Sequence, residues 1–170
     1  MRDGIAALVA LALLAVAASL ATTLQAYRRR RWQARESELA RGRTVLAELP
    51  TGDDLVLVSE DAGHFYYGEV AIDKASIVAV RVLINGSPIA ACVSRRRVTG
   101  TPLQATSFED RPEGIARDRW DVAVETAAGT TLVECGAIRE RVSQELARAV
   151  FDAVRADVER RDLAHAGPAA

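Results

Sequence analysis

Three adjacent arginines, Arg95-Arg96-Arg97, close a predicted strand and form the sharpest polar cluster beyond the amino-terminal stem. Guanidinium groups in such a row suit an anionic ligand or a lipid headgroup, gripped through charge-assisted hydrogen bonds. The competing reading is a solvated loop paired with neighbouring carboxylates, the usual fate of a charge run. Asp53-Asp54 and Glu60-Asp61 offer carboxylates for a metal or for acid/base work, but they stand at opposite ends of one short strand. Turn formation accounts for both pairs. His64 beside Phe65, Tyr66 and Tyr67 can titrate near neutrality, yet no Ser or Cys is spaced to use it as a base. Cys92 and Cys135 lie far apart without CxxC spacing, and with only 2 histidines a zinc site has no framework. The chain also lacks a phosphate-cradling glycine loop and a nucleophile elbow. The expectation is a protein without catalytic residues, metal or cofactor.

Charge distribution narrows the class further. Arg28 to Arg43 holds seven arginines against Glu36 and Glu38, whereas Thr44 to Ala170 has 14 basic and 20 acidic residues. A basic stem before an acidic globule is a poor design for nucleic acid, because phosphate neutralisation needs a basic face on the folded part.

The stem follows an uncharged run of 22 residues, Ile5 to Ala26. As a helix it would span roughly 33 Å, enough for a hydrocarbon core of about 30 Å. Directly after it come Tyr27, Arg28, Arg29, Arg30, Arg31 and Trp32, a membrane-boundary set in which aromatic rings sit at the interface and arginines snorkel to headgroups. Four arginines resist translocation, so the boundary predicts an inner-membrane, single-pass anchor with the carboxyl-terminal domain in the cytoplasm. The alternative is a cleaved signal peptide, with Ser19-Leu20-Ala21 as the small-x-small site, which would release an extracytoplasmic ligand-binding or sensor domain after Ala21. Against it stands the amino end, where Arg2 is balanced by Asp3. Small residues four apart, such as Ala6 and Ala10 or Ala15 and Ser19, would permit a homodimer, although an alanine-rich run produces such pairs by composition.

Beyond the anchor the pattern predicts a basic helical stem over 28–53, interrupted at Gly42 and closed by Pro50-Thr51-Gly52-Asp53. Strands follow at Leu55–Ser59, His64–Ile72 (with a bulge at Gly68), Ile77–Ile84, Ile89–Ser94 and, more weakly, Leu103–Phe108. Asn85-Gly86 between two of them marks a hairpin whose central residues take positive φ. Trp120–Thr126 and Thr130–Cys135 form a second hairpin through Ala127-Ala128-Gly129. After Gly136 a helical stripe of Ile138, Val142, Leu146, Ala149, Val150, Ala153, Val154 and Val158 points to one amphipathic helix, with a frayed tail over 162–170.

The fold class expected is therefore α+β. Seven antiparallel strands need closure or a cap, and one amphipathic helix supplies it. The runs DKASIVAVRVLINGSPIAACV and WDVAVETAAGTTLVECGAIRERVSQELARAVFDAV, in this order, resemble the pleckstrin-homology-like superfold over residues 54–161, as in small bacterial members carried on membrane helices. The resemblance implies an open barrel capped by the terminal helix, and a binding or scaffolding role toward a protein partner at a sheet edge or helix groove. It also implies that basic residues in strand-connecting loops, here Arg95, Arg96 and Arg97, contact lipid headgroups. The long segment between Arg95 and Arg119 departs from a compact member of that superfold.

Overall fold

The computed structural model describes residues 2–51, 54–95 and 119–166, arranged as two units, Met1–Arg41 and Gly42–Ala170. The first unit is one helix, α1 (Arg2–Ala40), 39 residues long. From Leu11 onward this helix is long and apolar enough to cross a membrane, and its apolar stretch is exposed. Leu11, Leu13, Leu14, Leu20 and Leu24 are all more than half exposed, an unusual density of uncovered apolar side chains for a helix in water. Thr22 and Thr23 return their hydroxyls to the carbonyl of Ser19, which hides those polar groups within the helix. The helix passes unbroken through the arginine run. It ends where Gly42 takes φ +75°, the left-handed conformation of a helix-terminating glycine.

Among its described residues the second unit holds eight strands in two antiparallel sheets and a carboxyl-terminal helix. One sheet is a meander of β1 (Thr44–Thr51), β2 (Asp54–Glu60), β3 (His64–Tyr67) and β4 (Val70–Asp73). A 3₁₀ turn, Lys74–Ser76, leads into the second sheet, built from β5 (Ile77–Ile84), β6 (Ser87–Val93), β7 (Arg119–Thr126) and β8 (Gly129–Ala137) in the order β6-β5-β7-β8. Helix α2 (Arg141–Ala166) packs across β1, β5, β7 and β8. Its Ala147, Val150, Phe151, Val154 and Val158 close one core with Leu49, Val58, Phe65, Val80, Val122, Val124 and Val133. Helix α2 covers the apolar side of the strands, while in the central strand β7 the consecutive residues Asp121, Val122, Ala123 and Val124 are buried, so both faces of that strand are covered.

Several expectations are corrected. Among the described residues there are eight strands, not seven, and they form two four-stranded sheets with no closed barrel. The helical stem stops at Ala40, and residues assigned to its end form β1, in which Ala47 and Leu49 are buried two apart. Sparse leucines were compatible with either period; partnering by β2 decides for the strand. Pro50 is tolerated because β1 is an edge strand, where a missing N–H leaves no ladder gap. The single strand over His64–Ile72 is two strands, and Gly68 at φ +57° sits in the turn between them. Helix α2 runs to Ala166, beyond the tail boundary, and Val142 of the predicted stripe is 61% exposed in its first turn.

The two hairpins stand as expected. Asn85 and Gly86 take φ 52° and 78°, the pair of positive values that a two-residue turn between twisted strands requires. The weak strand Leu103–Phe108 lies outside the described residues.

Candidate functional site

Helix α1 places the boundary set on one continuous element. Tyr27, Arg28, Arg29, Arg30, Arg31 and Trp32 are all exposed, Trp32 at 76%. The Arg31 guanidinium stands 6.0 Å from the centre of the Tyr27 ring, one helical turn back. The structure therefore gathers these six into a band around the helix.

Arg95 is placed differently. Its side chain is exposed, while its backbone N–H donates to Asp162 Oδ2 at 2.7 Å and the neighbouring Ser94 hydroxyl donates to Asp162 Oδ1 at 2.7 Å. These bonds tie α2 to the end of β6. Burial pushes the Asp162 carboxyl up, but the Arg95 amide, the Ser94 hydroxyl and the charges of Arg161 and Arg95 outweigh it and hold it below its ordinary value. A carboxylate held ionised beside Arg95 offsets attraction for an incoming anion at that position. Arg96 and Arg97 lie outside the described residues.

Glu60 and Asp61, at the far end of β2, do structural work, whereas Asp53 and the Asp54 side chain lie outside the described residues. Asp61 accepts from the Tyr66 hydroxyl at 2.7 Å and from the amides of Gly63 and His64, and these bonds hold its carboxyl down to about 2. Bonding to Asp61 raises the Tyr66 phenol, whose ring carries the Arg43 guanidinium 3.5 Å from its centre. Glu60 accepts from Lys74 Nζ at 2.8 Å; that ammonium also donates to the Asp61 carbonyl and lies over the Phe65 ring. His64 reaches Asp61 at 3.7 Å and meets the Tyr66 ring. Each group thus closes the β2–β3 turn or the 3₁₀ turn. Among the described residues no cluster of three metal-binding side chains exists.

Asp121 is among the buried polar groups that sequence patterning missed. Asp121 is 1% exposed and pairs at 2.7 Å with Arg119 Nε, while Arg119 Nη1 reaches Glu134 at 2.9 Å. Burial raises the Asp121 carboxyl, and Arg119 partly opposes it. Clean alternation in WDVAVET put Asp121 on the non-core side of β7, but nothing in that pattern shows the side to be covered. Burial likewise pushes the Cys135 thiol up to about 12, so it is inert, and raises the half-buried Cys92 thiol. Both cysteines are free.

One exposed surface has the makings of a docking edge. Strand β6 borders its sheet, pairing only with β5 among the described residues. Its seven residues, SPIAACV, carry no charge; Ala90 and Cys92 pack toward the core, and Ile89 and Val93 are 56% and 39% exposed. Edge strands are ordinarily guarded by charge or shortness. Of the other sheet's two edge strands, β1 carries Glu48 and Pro50, and β4 is only 4 residues long and ends in Asp73.

No protein-family model, curated protein or solved structure matches this chain.

Proposed function

We propose that this chain is a single-pass membrane protein whose strand-rich unit is a non-enzymatic, pleckstrin-homology-like binding module held at the cytoplasmic face. The observation that carries the reading is α1: an apolar span exposed all round that continues, as the same helix, into the arginine run. Hydrophobic surface of that length finds its partner in lipid, and the arginines favour retention on the inner side. The bound partner is an extended, uncharged segment of another protein that adds as a strand to β6, with side chains of alternate residues resting on Ile89 and Val93.

Topology is the first test. A cysteine placed at Leu163, which is 70% exposed, should react with a membrane-impermeant thiol reagent only after intact cells are opened. Labelling in intact cells would put the unit outside and overturn the reading; a mature chain beginning at Thr22 would overturn the anchor itself.

A further inference from the structure

We infer that Arg28, Arg29, Arg30 and Arg31 form a complete collar that recruits anionic phospholipid as the preferred lipid around α1. The inference rests on the membrane reading above and adds a ligand to it. Successive residues of an α-helix turn by about 100° and rise ~1.5 Å. Four consecutive arginines on the unbroken α1 therefore point to all sides of the helix within roughly 4.5 Å of its length. A basic patch for docking on one surface would instead repeat every three or four residues along one face. All four side chains are exposed, and the band they form lies directly beyond an apolar span and between Tyr27 and Trp32, where ring systems rest at the headgroup level.

The chemistry selects the occupant. Guanidinium binds phosphate through two parallel N–H···O bonds. In a zwitterionic headgroup the attached ammonium opposes four neighbouring cations; in an anionic headgroup nothing does. A collar facing every direction acts on the whole first ring of lipids and needs no particular rotation of the helix. Glu36 and Glu38 come more than one turn after Arg31, outside the band.

Trp32 is a built-in reporter, because the only other tryptophan, Trp120, is half-buried in β7 with its Nε1 directed to the Ile138 carbonyl. The full chain is reconstituted in phosphatidylcholine vesicles doped, at equal mole fraction, with phosphatidylglycerol or phosphatidylcholine brominated near the headgroup. The Trp32 contribution is obtained by subtracting the signal of the Trp32→Phe chain, which leaves Trp120 untouched. Quenching should show a relative association constant at least about fivefold in favour of the anionic lipid, the change corresponding to about 1 kcal/mol for one arginine at an anionic surface. Replacing all four arginines by glutamine should bring the ratio to about one, and high salt should reduce it in the native chain. Equal quenching by both lipids refutes the collar while leaving the anchor intact. No quenching by either removes Trp32 from the membrane and refutes both.

Discussion

Substituting Arg119 by methionine tests the buried charge pair that Arg119 and Asp121 form within β7, from which Arg119 also reaches Glu134 on β8. Methionine keeps most of the apolar stem and leaves in place the bonds made by the Arg119 main chain, whose N–H donates to Asn85 Oδ1 and whose carbonyl accepts from the Asn85 N–H. What it removes is the cation 2.7 Å from Asp121, whose side chain is 2% exposed. The gross attraction at that distance is roughly 6 kcal/mol for an effective dielectric of about 20, most of it offset by desolvation. Stranding the carboxylate costs about 3–5 kcal/mol, and the lower end is expected because the second partner, Glu134, is 45% exposed and can rehydrate. The sign with pH follows from burial. Asp121 is raised in the folded state, so the fold holds its proton more tightly than the unfolded chain does. Its contribution to stability falls as pH rises from the ordinary carboxylate value of 3.8 through the folded value, and loss of Arg119 widens that window upward. Denaturant unfolding of the detergent-solubilised chain, followed by near-ultraviolet circular dichroism, should show the deficit at pH 7 shrinking as pH falls toward 4. Pairing the change with Asp121→Leu should recover most of it, since an apolar replacement for both charges leaves nothing unsatisfied. A deficit below 1 kcal/mol, or one that does not respond to acid, would refute this account of the pair.

Other outcomes follow from single contacts. Gly136→Ala introduces a Cβ 2.6 Å from Ser143 Oγ at φ +109°, and should cost about 2–4 kcal/mol in unfolding experiments; adding Ser143→Ala should relieve the clash and leave the backbone strain. Asp61→Asn should lower the thermal midpoint at neutral pH and flatten the loss of stability between pH 4 and 2, because an ionised Asp61 stabilises the fold above its unfolded value and ceases to as pH falls through about 2. Asp162→Ala should speed hydrogen exchange at the Arg95 amide by freeing it from α2, with the β7–β8 amides unchanged. Ile89→Lys should shift stability by less than about 0.5 kcal/mol and abolish photo-crosslinking of a partner from position 93; undiminished crosslinking would remove β6 as the docking edge.

What was legible in the chain was local in origin. Asn85-Gly86 dictates its turn because few residues tolerate two successive positive φ values, and the second hairpin and α2 follow from uninterrupted periods of two and of three to four. The length and charge of α1 were readable for the same reason, since hydrophobic extent and a run of arginines need no partner to be counted. Misreadings arose where a distant segment chooses. TVLAELPT satisfies helix and strand alike until β2 pairs with it, and Gly68 is bulge or turn according to whether β3 folds back on β4. The order β6-β5-β7-β8 is another such choice, because it places β6 and β7 on opposite sides of β5 although they are consecutive among the described strands.

The candidate sites divide along the same line. Sequence by itself determined the boundary set Tyr27 to Trp32, as a contiguous stretch whose chemistry is its composition. Only tertiary structure decided that Asp121 is buried against Arg119, that Asp162 occupies the neighbourhood of Arg95, and that uncharged β6 lies at an edge. The physical reason is that a side chain's environment is set by whatever packs over it, and those groups come from tens of residues away in the chain.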